Sequence, residues 1–293
     1  MPLYAGVELG GTKCVCTLAR GGDEVLEQVT VPTTSPDETL AAIEKALLEW
    51  HHNEPLQALG IGSFGPIDLN HGSSTFGSIT TTPKAGWRGA DVAGRLRRAL
   101  RVPTGFDTDV NGAALAEFRW GAGRGLHDLA YITVGTGVGV GVISDGKPVH
   151  GFSHPEVGHI RIARMPGDDW PGSCPYHGDC IEGLASGPAI KARLGVGHLR
   201  DFRPDHPAWE TVGWALAQLC HTLVCTSAPS TILIGGGVVT GQPHLIPRTG
   251  ELLVESLAGY MSLPTGGAYV QAPGLGAQAG PLGSIALAMD AAG

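Results

Sequence analysis

The chain has 293 residues, of which 42% are hydrophobic and 16% are charged, and its formal net charge is −8. This length suits two medium α/β domains, and the acidic balance argues against a nucleic-acid-binding protein, which needs a basic face. No apolar run approaches the ~20 residues of a membrane span, no basic apolar leader is visible, and the six cysteines fit a reducing cytoplasm better than a disulfide framework.

The first half of the chain predicts alternating strands and helices. Strands are predicted at 4–9, 13–19, 25–31, 58–63 and 102–107, and helices at 35–52, 91–100 and 111–120. A turn of Gly10, Gly11 and Thr12 joins the first two strands, and Lys13 follows it. Glycines let successive backbone N–H groups point inward, which suits a phosphate, although a single such turn also fits plain hairpin geometry.

The second half repeats this pattern. Strands are predicted at 129–134, 138–143, 231–234 and 268–271, and helices at 186–194, 209–227, 246–257 and 284–289. The turn of Gly135, Thr136 and Gly137 matches the first glycine turn, and Gly235, Gly236 and Gly237 follow a later strand. This weak internal duplication predicts two similar α/β domains with a cleft between them, and the three turns together favour nucleotide binding.

Two aspartates follow the strand predicted at 102–107. Ligands gather at the carboxyl ends of strands in open α/β sheets, so either Asp107 or Asp109 is a candidate general base for a substrate hydroxyl. The alternative is that Asp109 simply caps the helix that follows.

A loop rich in histidine and cysteine carries the most specific spacing. Cys174, His177 and Cys180 stand at three-residue intervals, and His159 is the natural fourth ligand, with His154 as the alternative. Two cysteines and two histidines form a closed tetrahedral set that is typical of structural zinc. The competing interpretation is a Cys174–Cys180 disulfide or two unligated thiols.

The ordered series of motifs resembles the ROK family of sugar kinases, and specifically its bacterial fructokinase branch. The resemblance covers nearly the whole chain and rests on these segments: Glu8-x-Gly-Gly-Thr-Lys13, Gly62-x-x-Gly65-Pro66, Thr82-Pro83-Lys84-x-Gly-Trp87, Asp109-x-Asn111-x-Ala-Ala-Leu-x-Glu117, Gly135-Thr136-Gly137-x-Gly139, Glu156-x-Gly158-His159, Cys174-x-x-His177-x-x-Cys180-x-Glu182 and Gly235-Gly236-Gly237.

The resemblance implies a two-domain, actin-like (ribonuclease H-like) kinase fold with an interdomain cleft and a zinc-binding loop. We place an N-terminal domain at 1–110, with a C-terminal helix at about 281–293 packing back on it, and a second domain at 111–280 that contains the zinc loop, 154–182. The implied enzyme is an ATP-dependent sugar kinase, and it is expected to be a cytoplasmic homodimer that binds ATP and a hexose but no nucleic acid or membrane.

The resemblance also assigns site residues. Asp109 is the implied general base, and Glu8 is expected to act on Mg²⁺ through water. The implied sugar-binding residues are Gly65, Pro66, Asn111, Glu156, His159 and Glu182, with His159 also on the zinc. The implied ATP-binding residues are Gly10, Gly11, Thr12, Lys13, Thr133, Gly135, Thr136, Gly137, Pro188, Gly235, Gly236 and Gly237.

Two departures from the family pattern affect the choice of substrate. Many members have Asp where this chain has Glu8, and Asn-Asp where it has Thr108-Asp109. Losing that Asn weakens the case for glucose, and the Cys-Pro-Tyr-His and Thr-Pro-Lys-x-Gly-Trp segments favour fructose, phosphorylated at the 6-hydroxyl. The alternatives are a kinase for glucose, mannose or N-acetylmannosamine, or a sugar-sensing, non-catalytic member of the family.

Overall fold

A computed structural model describes residues 1–199 and 202–293. The chain divides into two compact units. Unit 1 comprises Met1–Arg124, Lys147–Pro155 and Ala277–Gly293, and unit 2 comprises Gly125–Gly146 and Glu156–Gly276. Within the described residues, no helix is both long enough and apolar enough to cross a lipid bilayer.

The strands and helices follow in chain order. The strands are β1 Leu3–Leu9, β2 Lys13–Arg20, β3 Glu24–Pro32, β4 Ala58–Ser63, β5 Thr104–Thr108, β6 Leu129–Val134, β7 Val138–Ser144, β8 Lys147–Pro148, β9 Ile232–Gly235 and β10 Val270–Gln271. The helices are α1 Pro36–Asn53, α2 Val92–Leu100, α3 Asp109–Trp120, α4 Ile181–Ala185, α5 Gly187–Leu194, α6 Ala208–Ser227, α7 Gly237–Gly241, α8 Leu245–Leu257 and α9 Ala279–Ala292.

Unit 1 is built on a mixed five-stranded sheet in the order β3-β2-β1-β4-β5. The first three strands in sequence pair antiparallel, whereas β4 and β5 extend the sheet in parallel with β1. Every residue of β4 is buried, which explains its unbroken run of apolar and small residues. The predicted starts of α1 and α2 are confirmed, because Ser35 and Asp91 cap them through the N–H groups of Glu38 and Gly94.

One face of the unit 1 sheet is covered by α9. Gly6, Gly60 and Gly105 stand side by side in the register of β1, β4 and β5. A Cβ at any of the three would overlap atoms of Ser284 or Leu287 in α9. The row of glycines therefore forms a groove in which the helix backbone lies directly against the strands.

Several predicted bounds differ from the structure. The helix predicted at 284–289 is longer in the structure, where α9 covers Ala279–Ala292. Pro281 is tolerated because it lies in the first helical turn, and Gly283 packs against the backbone of Gly112. The strand predicted from residue 102 starts at Thr104, after Pro103, which has no N–H to donate. The strand predicted at 268–271 is reduced to β10, and α4 was not predicted.

The unit 2 strands follow the order β10-β9-β6-β7, with β6 antiparallel to β7 and parallel to β9. The long helices α6 and α8 pack against each other, and the buried side of α6 carries apolar residues through its full length. The predicted domain boundary at residue 110 differs from the boundaries of the two units. Helix α3 packs against α9 and belongs to unit 1, and so does the segment Lys147–Pro155.

Candidate active site and metal centre

Carboxylates meet at the ends of the parallel strands in unit 1. Glu8 of β1 is in register with Gly62 of β4, and Gly62 is in register with Asp107 of β5. Asp109 begins α3 immediately after β5, and its Cα lies where a Cβ on Gly62 would touch it. The edge of the sheet that the sequence singles out therefore brings together Glu8, Asp107 and Asp109.

Asp109 is not the helix cap. The N-cap is Thr108, whose hydroxyl accepts a hydrogen bond from the N–H of Asn111 at 3.1 Å. The carboxylate of Asp109 accepts one backbone bond, from Val110 at 2.9 Å, and remains partly exposed. Burial nevertheless raises the pKa of Asp109 to about 6. A carboxylate with this pKa suits proton abstraction near neutral pH.

Glu8 is half-buried close to Asp109. Burial, and then the charge of Asp109, raises the pKa of Glu8 to about 7, while Lys13 opposes the shift. Two neighbouring carboxylates with raised pKa values mark a position where a positive charge would be favourable. The donor set at this position, carboxylate oxygens, fits a magnesium ion that keeps most of its water.

The first glycine turn is held from the side by Lys84. The N–H of Gly10 donates to the carbonyl of Lys13 at 3.1 Å, which closes the turn between β1 and β2. The ammonium of Lys84 donates to the carbonyl of Gly11 at 2.7 Å. The fully buried Trp87 fixes the segment that carries Lys84, because its indole N–H donates to Thr34 at 2.8 Å.

Asp107 is buried and fully engaged. Its Oδ1 accepts from the side-chain amide of Asn111 at 2.8 Å and from the N–H of Thr108 at 2.7 Å, and its Oδ2 lies 2.8 Å from Nε2 of His150. These contacts distinguish the two aspartates, because both oxygens of Asp107 bind neighbouring groups whereas Asp109 is partly exposed and accepts from Val110. Sequence reasoning did not single out His150, whose partner is remote in the chain.

The Gly65–Pro66 turn lies in unit 1 with a cis peptide bond. The carbonyl of Pro66 accepts from the N–H of Thr80 at 2.8 Å, and the next N–H, of Ile67, donates to Nε2 of His154 at 3.0 Å. His154 therefore supports this turn, and it is not a member of the cluster of potential metal ligands in unit 2.

Four potential metal ligands converge in unit 2: His159, Cys174, His177 and Cys180. Nδ1 of His159 lies 3.7 Å and 3.6 Å from the two sulfurs and 3.3 Å from Nδ1 of His177. A tetrahedral zinc with two sulfur and two nitrogen ligands requires edges of about 3.3 to 3.8 Å. The donor set and its spacing fit zinc, and the two cysteines are not joined by a disulfide.

Local packing brings these ligands together. Gly172 and Gly183 pack against the carbonyl of Gly178, so a Cβ at either position would collide with the loop backbone. Asp179 ties the loop to neighbouring chain by ion pairs with Arg161 and Arg164, each at 3.1 Å. The short helix α4 begins directly after Cys180, so the loop fixes its orientation.

Glu182 connects the metal cluster to the second glycine turn. It lies on α4, with Oε1 4.0 Å from Nε2 of His159 and Oε2 accepting from the N–H of Val138 at 3.3 Å. Because Nδ1 of His159 faces the other ligands, Nε2 remains on the side of Glu182. Glu156 is exposed and precedes the 3₁₀ turn Val157–His159. Its backbone carbonyl accepts a hydrogen bond from the N–H of His159 at 3.0 Å.

The predicted ATP-binding residues of unit 2 also come together. Thr133 pairs in register with Gly235. The N–H of Gly187, the residue before Pro188, donates to the carbonyl of Gly135 at 2.8 Å. Gly236 has a φ of 91° and packs on the backbone of Val134, where a Cβ would overlap it. Both glycine segments thus present backbone to one region of unit 2.

Known relatives match the chain over nearly its full length. The fructokinase of Pediococcus pentosaceus is 40% identical over 289 residues, covering 99% of this chain and 98% of its own length. The fructokinase of Zymomonas mobilis is 42% identical over 298 residues, covering 99% and 97%.

Solved structures share the fold. A ROK hexokinase from Thermus thermophilus superposes with a TM-score of 0.81 at 26% identity, covering 98% of both chains. A ROK family glucokinase from Streptomyces griseus, in complex with glucose and AMPPNP, gives 0.78 at 26% identity, covering 98% of this chain and 99% of its own. The predicted two-domain α/β kinase fold is confirmed. The ROK family model matches residues 4–291, and the chain belongs to the ROK family.

Proposed function

We propose that this protein is an ATP-dependent hexose kinase that phosphorylates D-fructose at its 6-hydroxyl. The sugar-kinase chemistry is supported by family membership and by the two relatives named fructokinase at about 40% identity. The single observation that carries the assignment of a catalytic site is the partly exposed Asp109 at the end of β5, whose pKa is raised to about 6. Transfer of a phosphoryl group to an alcohol needs such a base.

In the proposed reaction, Asp109 accepts the proton of the sugar hydroxyl as that oxygen attacks the γ-phosphorus of ATP. The bond between the γ-phosphorus and the bridging oxygen breaks, and ADP leaves. Such transition states are loose, so the protein acts chiefly by alignment and by charge stabilisation. The role of the base is supported by the contacts of Asp107, which occupy both of its oxygens, so that Asp109 is the partly exposed aspartate at this edge of the sheet.

The phosphates of ATP are assigned to the two glycine turns. In unit 1 we assign Gly10, Gly11, Thr12 and Lys13, and Glu8 would hold Mg²⁺ through water, which would supply positive charge for the phosphates. In unit 2 we assign Thr133, the turn 135–137, Pro188 and the segment 235–237. The backbone packing of Gly187 on Gly135 and of Gly236 on Val134 supports this assignment.

The sugar is assigned to Gly65, Pro66 and Asn111 in unit 1, and to Glu156, His159 and Glu182 in unit 2. Zinc held by His159, Cys174, His177 and Cys180 would supply structural order, because four protein ligands leave no open coordination position. That order would fix the ring of His159 and, through α4, the carboxylate of Glu182. The 4.0 Å separation of His159 and Glu182 supports a joint role.

The test is coupled ADP release from purified protein with Mg-ATP and fructose, glucose, mannose or N-acetylmannosamine in parallel. We expect a kcat/KM for fructose well above the other three. A higher value for another sugar would keep the kinase and replace the substrate, whereas no rate with any hexose would favour a sugar-sensing, non-catalytic protein. The homodimer that the family resemblance implies is tested by light scattering on the same sample.

A further inference from the structure

His150 and Asp107 form a pair that the proposed mechanism does not use. The side chain of Asp107 is 4% exposed and that of His150 is 39% exposed, and Nε2 of His150 lies 2.8 Å from Oδ2 of Asp107. Both residues belong to unit 1, His150 through the segment Lys147–Pro155. The pair therefore joins a buried carboxylate to a ring that reaches solvent.

The hydrogen bonds of Asp107 determine which nitrogen of His150 is available. The carboxylate accepts at Oδ1 from Asn111 and Thr108, so Oδ2 is left to accept the Nε2–H of His150. Nδ1 of the ring makes no hydrogen bond to the part of the chain that the structure describes. In the neutral ring Nδ1 accepts a hydrogen bond from a ligand O–H. The hydrogen bond to Asp107 raises the pKa of His150, and in the protonated ring Nδ1–H donates to a ligand hydroxyl oxygen instead.

His150 also lines an open pocket. The pocket has a volume of about 590 Å³ and is shared with Asn70, His71, Phe76 and Phe106. This volume lies in the range of small-molecule sites. Aromatic rings beside a few polar side chains suit a polyol, because the rings cover its C–H groups while the polar atoms bond its hydroxyls.

The pair is also tied to the proposed catalytic residue. Asp107 stands two positions before Asp109, and its carboxylate holds the amide of Asn111 as well as the ring of His150. A histidine that served only to anchor the loop would be expected to pack its ring away from water, yet 39% of this side chain is exposed. One buried carboxylate thus orients the ring of His150 and the amide of Asn111, whose Nε2 and Nδ2 lie 3.3 Å apart.

We propose that His150 is a further sugar-contacting residue, whose Nδ1 forms a hydrogen bond with a sugar hydroxyl while Asp107 positions the ring. The inference rests on the proposed kinase function and deepens it by adding a specificity-determining residue to the sugar site. Asp107 is a positioning residue in this scheme, because it acts through His150 and Asn111.

The test compares His150→Ala, His150→Gln and Asp107→Asn with wild type in steady-state kinetics. In His150→Ala we expect the KM for the sugar to rise about tenfold, because one hydrogen bond to a sugar hydroxyl is lost. The KM for ATP should not change. His150→Gln should recover part of the loss. If Asp107 acts partly through the ring of His150, Asp107→Asn should raise the sugar KM less in a His150→Ala background than in wild type. The rise that remains in the double variant reports the loss of the contact to Asn111.

The matched control is His52→Ala, an exposed histidine on α1 that should leave both KM values unchanged. A sugar KM within about twofold of wild type in His150→Ala would overturn the inference. A second measurement follows the side-chain ¹⁵N signals of histidine during titration with fructose and no ATP. A shift at Nδ1 of His150 is expected, and an unchanged signal at saturating sugar would contradict the contact even if the variants fold poorly.

The two proposals fail in different ways. If wild type phosphorylates no hexose, the proposed function fails. The ¹⁵N titration then still decides whether His150 contacts a bound sugar. If wild type phosphorylates fructose and the His150 variants match it, only the sugar contact fails.

Discussion

The two units share a strand order but differ in the charge at the matching turn. In unit 1 the order β5-β4-β1-β2 corresponds to β10-β9-β6-β7 in unit 2. Glu8 stands two residues before Gly10 and pairs with Gly62, whereas Thr133 stands two residues before Gly135 and pairs with Gly235. The same backbone therefore carries a carboxylate in one unit and a hydroxyl in the other.

This difference suggests how a duplicated scaffold can divide the work of one reaction. In the proposed reaction, the carboxylates of unit 1 would hold a cation and accept a proton, while the neutral turn of unit 2 would bind a phosphate. The units differ again in the segments that come after their glycine turns. Unit 1 proceeds through α1 to β4, but unit 2 reaches β9 only after the cysteine-histidine loop and three helices.

Neutralising the proposed base in unit 1 should have the most severe effect on turnover. Asp109→Asn should lower kcat by about 10²- to 10⁴-fold, because the sugar hydroxyl then has no base to accept its proton. Sugar binding, measured by calorimetry, should survive. The control is Asp23→Asn in an exposed turn, and near-normal turnover in Asp109→Asn would remove the base from the mechanism.

Removing a metal ligand tests unit 2 in the same way. Cys180→Ser should abolish bound zinc in elemental analysis and lower kcat/KM for the sugar by about 10- to 100-fold, since His159 and Glu182 lose their support. Cys225→Ser, at an exposed cysteine outside the ligand cluster, is the matched control. Unchanged zinc content in Cys180→Ser would refute the site.

The pH dependence should report on unit 1. Because Asp109 must be ionised to act, and because burial raises its pKa to about 6 and that of Glu8 to about 7, kcat/KM should fall as the pH decreases through this range. Well below both pKa values, the loss should approach about hundredfold per pH unit in wild type, where two carboxylates must be ionised, and about tenfold in Glu8→Gln, where one must. In Glu8→Gln the step near 7 should disappear, and a flat profile down to about pH 5 would contradict both assignments.

The smallest expected effect concerns the support of the first glycine turn. Lys84→Met removes the ammonium that binds the carbonyls of Gly11 and Thr33. We expect the KM for ATP to rise about three- to tenfold, the loss of one charge-assisted hydrogen bond, with little change in the sugar KM. Lys45→Met on the exposed side of α1 is the control, and a selective rise in the sugar KM would contradict this role.

The sequence predicted those features of the site that depend on local spacing. The cysteine-histidine loop and the glycine turns are short, so their residues alone limit the geometry. The choice between His154 and His159 as potential metal ligand depends on what each ring contacts, which only the fold provides. The ring of His154 accepts the N–H of Ile67, whereas that of His159 lies among the cysteine and histidine side chains of the loop. His150 was missed for the same reason, because it lies in the loop after β8 and its partner Asp107 lies in β5, far away in the sequence.

Packing between remote segments was also beyond sequence reasoning. In the sequence, three glycines look like ordinary strand residues: Gly6, Gly60 and Gly105. Only the register of β1, β4 and β5 shows that they stand side by side and let α9 approach the sheet. The segment of α9 contains two glycines and a proline, so propensity alone underestimates its length. The residues of α9 that meet the glycine groove, among them Ser284 and Leu287, follow its first turn.

The glycine groove has a consequence for biosynthesis. As the ribosome extends the chain, β1 to β5 emerge long before α9, which follows every strand of both units. Until then, the glycine groove that α9 fills has no helix against it. We therefore expect unit 1 to reach its final packing only after unit 2 and α9 have been synthesised. Until then the groove would be exposed to chaperones.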